Sequence, residues 1–284
     1  MDTVRAKTGL KRILNKTSAR ISVIALSLIV TCYTSVEALS REVILGEKKI
    51  VGGVPTTIED NPWQAALIIS RGGQKFLCGG SVVSARYIVT AAHCFLGSDA
   101  AVPPEVILGE TDFQAAYQAN RAIQSLEVVV HDGYDTNTNL HDIALVLVND
   151  TSPARVIPLA VPATKLVVGE ALHVTGWGAK TEFGPASNTL MVATVPYVNN
   201  ETCNEPASYN GKVAKSMMCA GKPKGGEDSC QGDSGGPLVK GDKPEEAILV
   251  GIVSFGEGCG KALKYGVYTR ISADQDWIRN VISK

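Results

Sequence analysis

Three features that would assign the chain to common classes of protein are missing from its sequence. The longest mostly apolar stretch, 21–36, has 16 residues, whereas a membrane-spanning helix needs about 20. Cys-x2-Cys pairs are absent and His93-Cys94 has no matching second pair, which argues against a zinc site. Basic charge is also scarce, because residues 50–284 carry 18 Lys and Arg against 24 Asp and Glu. Nucleic-acid binding is therefore not expected.

The first 38 residues predict a secretory signal peptide. Six Lys and Arg up to Arg20 precede the apolar run 21–30, and Val36 and Ala38 fit cleavage after Ala38, with Ser40 as a near alternative. A retained signal anchor at 21–36 is the other interpretation. The expected product is secreted and has no contact with a membrane once the signal is removed.

The cysteine count agrees with export. Loss of the signal removes Cys32 and leaves an even set, which in an oxidising compartment predicts three disulfides whose pairing the spacing leaves open. The six remaining residues are Cys78, Cys94, Cys203, Cys219, Cys230 and Cys259. Asn149 and Asn200 each begin an Asn-x-Thr sequence that can accept a glycan.

Short segments rich in β-branched residues predict an all-β fold. They lie at 65–69, 87–90, 126–130, 143–148 and 248–255, between Gly, Pro, Asn and Asp residues. Because amphipathic segments of helix length are absent between them, the pattern favours a sandwich or barrel over βαβ units. The C-terminus is the exception, where Ser272 is predicted to cap a helix over 274–283.

The sharpest local motif is Gly232-Asp-Ser234-Gly-Gly236. Glycines around a serine allow a tight turn that exposes the hydroxyl beside backbone N–H groups. The same letters fit the nucleophile turn of α/β-hydrolases, but that fold needs a histidine after its serine. All four histidines of this chain precede Ser234, so the order His, Asp, Ser is the one that remains.

His93 and Asp142 are the predicted partners of Ser234. His93 ends a run of small residues that leaves room around its ring, whereas His131 lies in a turn and His173 in a strand, where either can be structural. Asp142 begins an apolar segment, in which a carboxylate needs a partner such as an imidazole N–H. A solvated turn acid is the alternative for Asp142.

Six motifs in register resemble the trypsin branch of the chymotrypsin-like serine peptidases. They are Ile50-Val-Gly-Gly53, Thr90-Ala-Ala-His-Cys94, Asp142-Ile-Ala-Leu145, Gly176-Trp-Gly178, Gly232-Asp-Ser-Gly-Gly-Pro237 and Gly266-Val-Tyr268. The resemblance covers 50–284 and implies two antiparallel six-stranded Greek-key β-barrels with a C-terminal helix. It also implies the disulfides Cys78–Cys94, Cys203–Cys219 and Cys230–Cys259.

The resemblance further implies a role for each residue of the site. Ser234 would be the nucleophile, His93 the base and Asp142 the residue that orients the base, with the oxyanion held by the N–H groups of Gly232 and Ser234. Asp228 would select Lys or Arg before the cut. The remaining substrate-binding positions are Ser229, Ser254, Gly256 and Gly266.

A zymogen is expected because Lys48-Lys49 precedes Ile50. The expected division is a signal peptide at 1–38, a propeptide at 39–49 and a peptidase domain at 50–284. Cleavage after Lys49 would create an ammonium group at Ile50 that pairs with Asp233, as a buried charge requires.

The expected partners are protein or peptide substrates and protein inhibitors, and a monomer is the family default. Glu110 matches one of two acidic ligands in calcium-binding relatives, but Asn120 stands at the other position, so no metal or other cofactor is expected. The alternative function is an inactive peptidase-like binding or inhibitor protein.

Overall fold

The chain is described here by a computed structural model, which covers residues 53–99, 102–178, 186–226 and 233–284. Its strands are β1 Val54–Pro55, β2 Gln64–Arg71, β3 Gln74–Val82, β4 Tyr87–Thr90, β5 Glu105–Leu108, β6 Ile123–Gln124, β7 Glu127–Val130, β8 Ala144–Leu147, β9 Ala171–Gly176, β10 Met191–Val198, β11 Met217–Ala220, β12 Pro237–Lys240, β13 Ile248–Phe255 and β14 Gly266–Arg270. Its helices are a 3-10 helix at Ala92–Phe95, α1 Phe113–Gln118, α2 Asn200–Cys203 and α3 Ile271–Ile282. Within these ranges, no helix has the length and apolar character needed to cross a membrane.

The later strands form a closed antiparallel ring. The order in the sheet is β1-β10-β11-β14-β13-β12-β9, and β9 also pairs with β10. Residues 191–196 of β10 lie opposite 171–176 of β9 in continuous register. Closure through this pair leaves no free edge among the six strands β9 to β14, which removes the hazard of edge-to-edge association.

The earlier strands form a second curled sheet, in the order β6-β5-β2-β3-β4-β8-β7. Its edge strands β6 and β7 are consecutive in the chain. Between them, Ser125 N–H donates to Pro104 O at 2.9 Å and Leu126 N–H donates to Leu147 O at 2.7 Å. The bent segment 123–130 thus bridges the two edges, and the sheet has six strands when β6 and β7 count as one. The predicted two-barrel fold with a C-terminal helix is confirmed.

Apolar side chains from both sheets meet in one continuous core. Leu67, Ile88 and Val146 enter it from the first sheet, and Leu238 and Ile252 from the second, all fully buried. Continuous burial of such large side chains is the main force that holds the fold together.

Two of the disulfides implied by the resemblance are formed. Cys78 on β3 is bonded to Cys94 on the 3-10 helix, and Cys203 on α2 to Cys219 on β11. Cys259 is also disulfide-bonded, and its predicted partner Cys230 lies outside the described residues. The first disulfide ties the segment that carries His93 to the sheet beneath it.

The start of the C-terminal helix differs from the prediction. Helix α3 begins at Ile271, so Ser272 lies inside its first turn and does not cap it. Strand β14 runs into the helix without a loop, because Ile271 is fully buried and the Arg270 side chain donates to Met217 O. The short helices α1 and α2 were not predicted, although Asp112 and Asn199 cap them by accepting backbone N–H bonds.

Candidate active site

Asp142 and His93 are joined by two hydrogen bonds. The His93 backbone N–H donates to Asp142 Oδ1 at 2.8 Å, and His93 Nδ1 lies 2.8 Å from Asp142 Oδ2. The two residues meet because β4, which leads to the 3-10 helix of His93, pairs with β8, which follows Asp142. Since Nδ1 faces the carboxylate, the ring directs its Nε2 away from Asp142.

The second sheet also holds Asp142. Ser254 Oγ on β13 donates to Asp142 Oδ2 at 2.5 Å, and Thr269 Oγ1 on β14 donates to the Asp142 carbonyl at 2.8 Å. Burial raises the pKa of the fully enclosed carboxyl, but hydrogen bonds from His93 and Ser254 outweigh it and bring the pKa below its ordinary value. Asp142 is therefore a buried carboxylate whose charge is stabilised from both barrels.

Ser234 lies in a tight turn that is attached to the first sheet. The Gly236 N–H donates to Asp233 O at 2.7 Å and closes the turn, while the Gly79 N–H on β3 donates to the Ser234 carbonyl at 2.7 Å. Ser234 itself is partly exposed, whereas the residues beside it are buried. The turn thus presents one hydroxyl at the surface of a rigid support.

Gly235 explains how closely this turn approaches the segment of His93. Its φ is +79°, and a Cβ at this position would lie 2.1 Å from Thr90 Oγ1 and 2.6 Å from Gly79 O. Only glycine permits both the backbone conformation and the contact. Thr90 ends β4 three residues before His93, so the close approach brings Ser234 to the same edge of the first barrel as His93.

The Gly176-Trp-Gly178 motif makes room for the carboxylate of Asp233. The Gly178 N–H donates to Asp233 Oδ1 at 3.0 Å. A Cβ at Gly176 would lie 2.2 Å from Oδ1, and one at Gly178 would lie 2.5 Å from Oδ2. Glycine is therefore needed at 176 and 178 because a larger residue would collide with the Asp233 carboxylate. Asp233 is fully buried and anchors the turn that carries Ser234.

The predicted substrate-binding positions that the structure describes lie on or beside two adjacent strands. Ser254 lies in β13, Gly256 directly follows that strand, and Gly266 begins its neighbour β14. Among the described residues, a Cβ at Gly256 would meet its nearest neighbours at ordinary contact distance, 3.5 Å or more, and the residue is exposed. The Ser254 side chain turns to Asp142, so any contact of this residue with substrate falls to its backbone.

Several predicted residues lie outside the described ranges. They are the signal and propeptide segments, Lys49, Ile50, Asp228, Ser229, Cys230 and Gly232.

The other three histidines serve different contacts. His173 Nε2 lies 2.9 Å from Asp242 Oδ1 at the surface, and His131 stacks on His141 with ring centroids 4.6 Å apart. Both rings of that stack lie near Asp274.

Glu110, which matches one ligand position of calcium-binding relatives, forms an ion pair with Arg121, whose Nη1 lies 2.7 Å from Glu110 Oε1. A guanidinium here satisfies the carboxylate that a cation would otherwise need to neutralise.

Comparison with known proteins agrees with this geometry. The Trypsin family model matches residues 50–278. Transmembrane protease serine 11E of Mus musculus is 37% identical over 235 residues, which are 81% of this chain and 54% of that protein. The chain thus spans about half the length of that relative. Trypsin-1 of Astacus astacus is 35% identical over 235 residues, covering 81% of this chain and 98% of that protein. With two barrels, a buried Asp142 paired with His93 and this match, the chain belongs to the trypsin-like serine peptidases of the chymotrypsin-like family, a family of serine endopeptidases.

Proposed function

We propose that the protein is a secreted zymogen whose processed form hydrolyses peptide bonds after Lys or Arg. The observation that carries the proposal is the Asp142–His93 pair, with two 2.8 Å contacts, at the barrel edge that also receives the Ser234 turn. Family membership supports the same chemistry.

The mechanism, which is the reaction characteristic of the family, assigns one task to each member of this group. His93 Nε2 takes the proton of Ser234 Oγ as that oxygen attacks the scissile carbonyl, and an acyl-enzyme forms when the proton passes to the leaving amine. Asp142 orients the ring and stabilises the imidazolium. Water then attacks the acyl group by the same proton route and releases the acid.

The oxyanion and specificity sites are assigned through the motif register. We expect the Gly232 and Ser234 N–H groups to hold the developing negative charge. Asp228 would pair with the cationic side chain of the residue before the cut. Support for a slot with room for a long side chain comes from the exposed Gly256, where the nearest atom that a Cβ would meet among the described residues is Gly258 O at 3.5 Å.

Activation would follow cleavage after Lys49. The new ammonium group of Ile50 would pair with Asp233, a carboxylate that is fully buried and borders the Ser234 turn. Since Lys49 fits the specificity assigned to Asp228, the enzyme would be able to process its own precursor. A precursor carrying Ser234→Ala is then expected to remain unprocessed when incubated alone. Lys49→Gln is expected to prevent formation of the Ile50 terminus even when active enzyme is added, because cleavage at Lys48 would leave the substituted residue in front of Ile50.

The decisive experiment compares reporter substrates ending in Arg, Lys, Phe and Ala, using secreted, processed protein. Turnover of the Arg and Lys substrates that Ser234→Ala abolishes supports the proposal. Asp228→Ser is expected to remove Lys and Arg cleavage, and Glu227→Ser, a change at the adjacent acid, is the matched control that retains it. Absence of turnover in every processed sample would favour the inactive binding protein instead. Intact-mass analysis of the secreted product tests cleavage after Ala38.

A further inference from the structure

A second cluster of imidazole and carboxylate groups lies outside the Ser234 site. It consists of His131, His141 and Asp274, each of which offers one ligand atom, and these atoms all lie within 4.8 Å of one another. His141 Nδ1 is 2.6 Å and His131 Nε2 is 3.8 Å from the same oxygen, Asp274 Oδ1. Two imidazoles and a carboxylate are a donor set that suits zinc and copper ions.

The Asp274 carboxylate has an oxygen that is available to a ligand. The Asp274 side chain is only 2% exposed, and its Oδ2 is buried without a hydrogen-bond partner among the described residues. A buried carboxylate oxygen without a donor is costly, since its charge has lost solvation without compensation. A cation bound at the neighbouring oxygen Oδ1, which both imidazoles face, would offset the charge of this buried carboxylate.

An ion at this cluster would require the two rings to reorient, because they stack with 7° between their planes and an imidazole nitrogen binds a metal ion in the plane of its own ring. A tetrahedral ion with ligands at about 2.0–2.1 Å separates its donor atoms by roughly 3.3 Å. The 2.6 Å contact would have to lengthen and the 3.8 Å contact shorten to reach this value. The side chain of His141 is 35% exposed, so solvent can reach the cluster and supply a fourth ligand.

The orientation of His131 also suits a ligand, because its Nε2 faces Asp274 Oδ1. Ligation through Nε2 would move the ring proton to Nδ1, which now accepts the Gly133 N–H at 2.9 Å. Gly133 is exposed, so water can take over that N–H.

We propose that His131, His141 and Asp274 form a binding site for one divalent ion of the zinc and copper class. The site joins the turn after β7, the residue before Asp142 and helix α3. It is distinct from the Ser234 site and does not depend on peptide hydrolysis.

Trp277 provides a local reporter, because its ring centroid lies 4.8 Å from that of His131. The experiment titrates the full 284-residue chain carrying Ser234→Ala with Cu²⁺ and follows tryptophan emission, then adds Zn²⁺ as a competitor. Since this variant cannot hydrolyse peptides under the proposed function, the result is independent of whether that function is correct. We expect Cu²⁺ to quench emission, Zn²⁺ to restore it and Trp277→Phe to remove most of the change.

The variants are chosen to keep the fold. His131→Asn retains an acceptor for the Gly133 N–H, and His141→Asn suits the φ of +50° at that position, because asparagine tolerates left-handed backbone. Each variant is expected to raise the Cu²⁺ concentration at the midpoint of the titration at least tenfold, about the smallest loss of affinity that is typical when a residue supporting a metal site is replaced. His173→Asn alters the separate histidine–aspartate pair and is the matched control, with an unchanged midpoint.

The proposal is wrong if neither asparagine variant at the cluster shifts the midpoint, or if His173→Asn shifts it as much. Asp274→Asn gives a further test that leaves both imidazoles in place, and an unchanged midpoint there would also overturn the assignment.

Discussion

Loss of the Ser254 hydroxyl tests the electrostatic account of Asp142. Ser254 Oγ donates to the fully buried carboxylate at 2.5 Å, and hydrogen bonds to charged groups contribute about 1.5–3 kcal/mol. In Ser254→Ala, the carboxylate keeps both contacts from His93. We therefore expect the free energy of unfolding at pH 7 to fall by about 2 kcal/mol, near the middle of that range.

The loss should depend on pH with a defined sign. The folded-state pKa of Asp142 lies below its ordinary value, so the stabilisation is present above the unfolded pKa of about 3.9 and is lost as pH falls through the folded pKa. Removing the Ser254 donor raises the folded pKa. The difference between the two proteins is therefore largest at neutral pH and shrinks below about pH 4.

Urea unfolding of the full chain at pH 7 and at pH 3, in a Ser234→Ala background that prevents self-digestion, measures this difference. The matched control is Ser81→Ala, because Ser81 is a buried serine on β3 whose Oγ has no hydrogen-bond partner in the part of the chain that the structure describes. It should cost little or be neutral. Equal losses for Ser254→Ala and Ser81→Ala, or a loss that is the same at both pH values, would refute the reasoning.

Three further predictions concern steric fit, ionisation and surface charge. Gly176→Ala places a Cβ 2.2 Å from Asp233 Oδ1, so we expect at least a tenfold loss of reporter hydrolysis relative to the processed parent protein. Full activity would show that the Asp233 carboxylate can move without cost. Burial raises the pKa of Tyr134 to about 12, so its contribution to stability is full below pH 10 and declines towards pH 12, and Tyr134→Phe should flatten that decline in urea unfolding. The Arg121 side chain is 54% exposed in its ion pair with Glu110, so Arg121→Gln should cost less than about 1 kcal/mol by thermal unfolding, and a larger loss would contradict the view that solvent screens this pair.

Motif spacing predicted the parts of the site that depend on residue type and order. His93 and Asp142 could be selected because their segments combine small residues, an apolar strand and a single polar side chain. The two-barrel fold followed from the family resemblance, since short β segments alone do not distinguish a barrel from a sandwich.

The supporting contacts could not be predicted in the same way. Ser254 and Thr269 approach Asp142 from strands 112 and 127 residues further along the chain. The resemblance placed Ser254 among the substrate-binding positions but did not predict its bond to Asp142, and Thr269 lies in no pattern that distinguishes it from other buried hydroxyl residues. The hydrogen bond from the Gly79 N–H to the Ser234 carbonyl depends on the register of β3, which the sequence pattern does not specify. The start of α3 was misplaced because Ser272 is a good cap by type, whereas burial of Ile271 decides where the helix begins.

The hydrogen bonds that Asp142 accepts from both barrels make the position of the catalytic base depend on the packing of the two barrels. The Asp142 carboxylate receives one donor from His93 on the first barrel and another from Ser254 on the second. It therefore links the two barrels as well as orienting the imidazole. Separation of the barrels would remove the Ser254 donor from the carboxylate that orients His93. The alignment of the base therefore depends on the contact between the barrels as well as on the fold of each one.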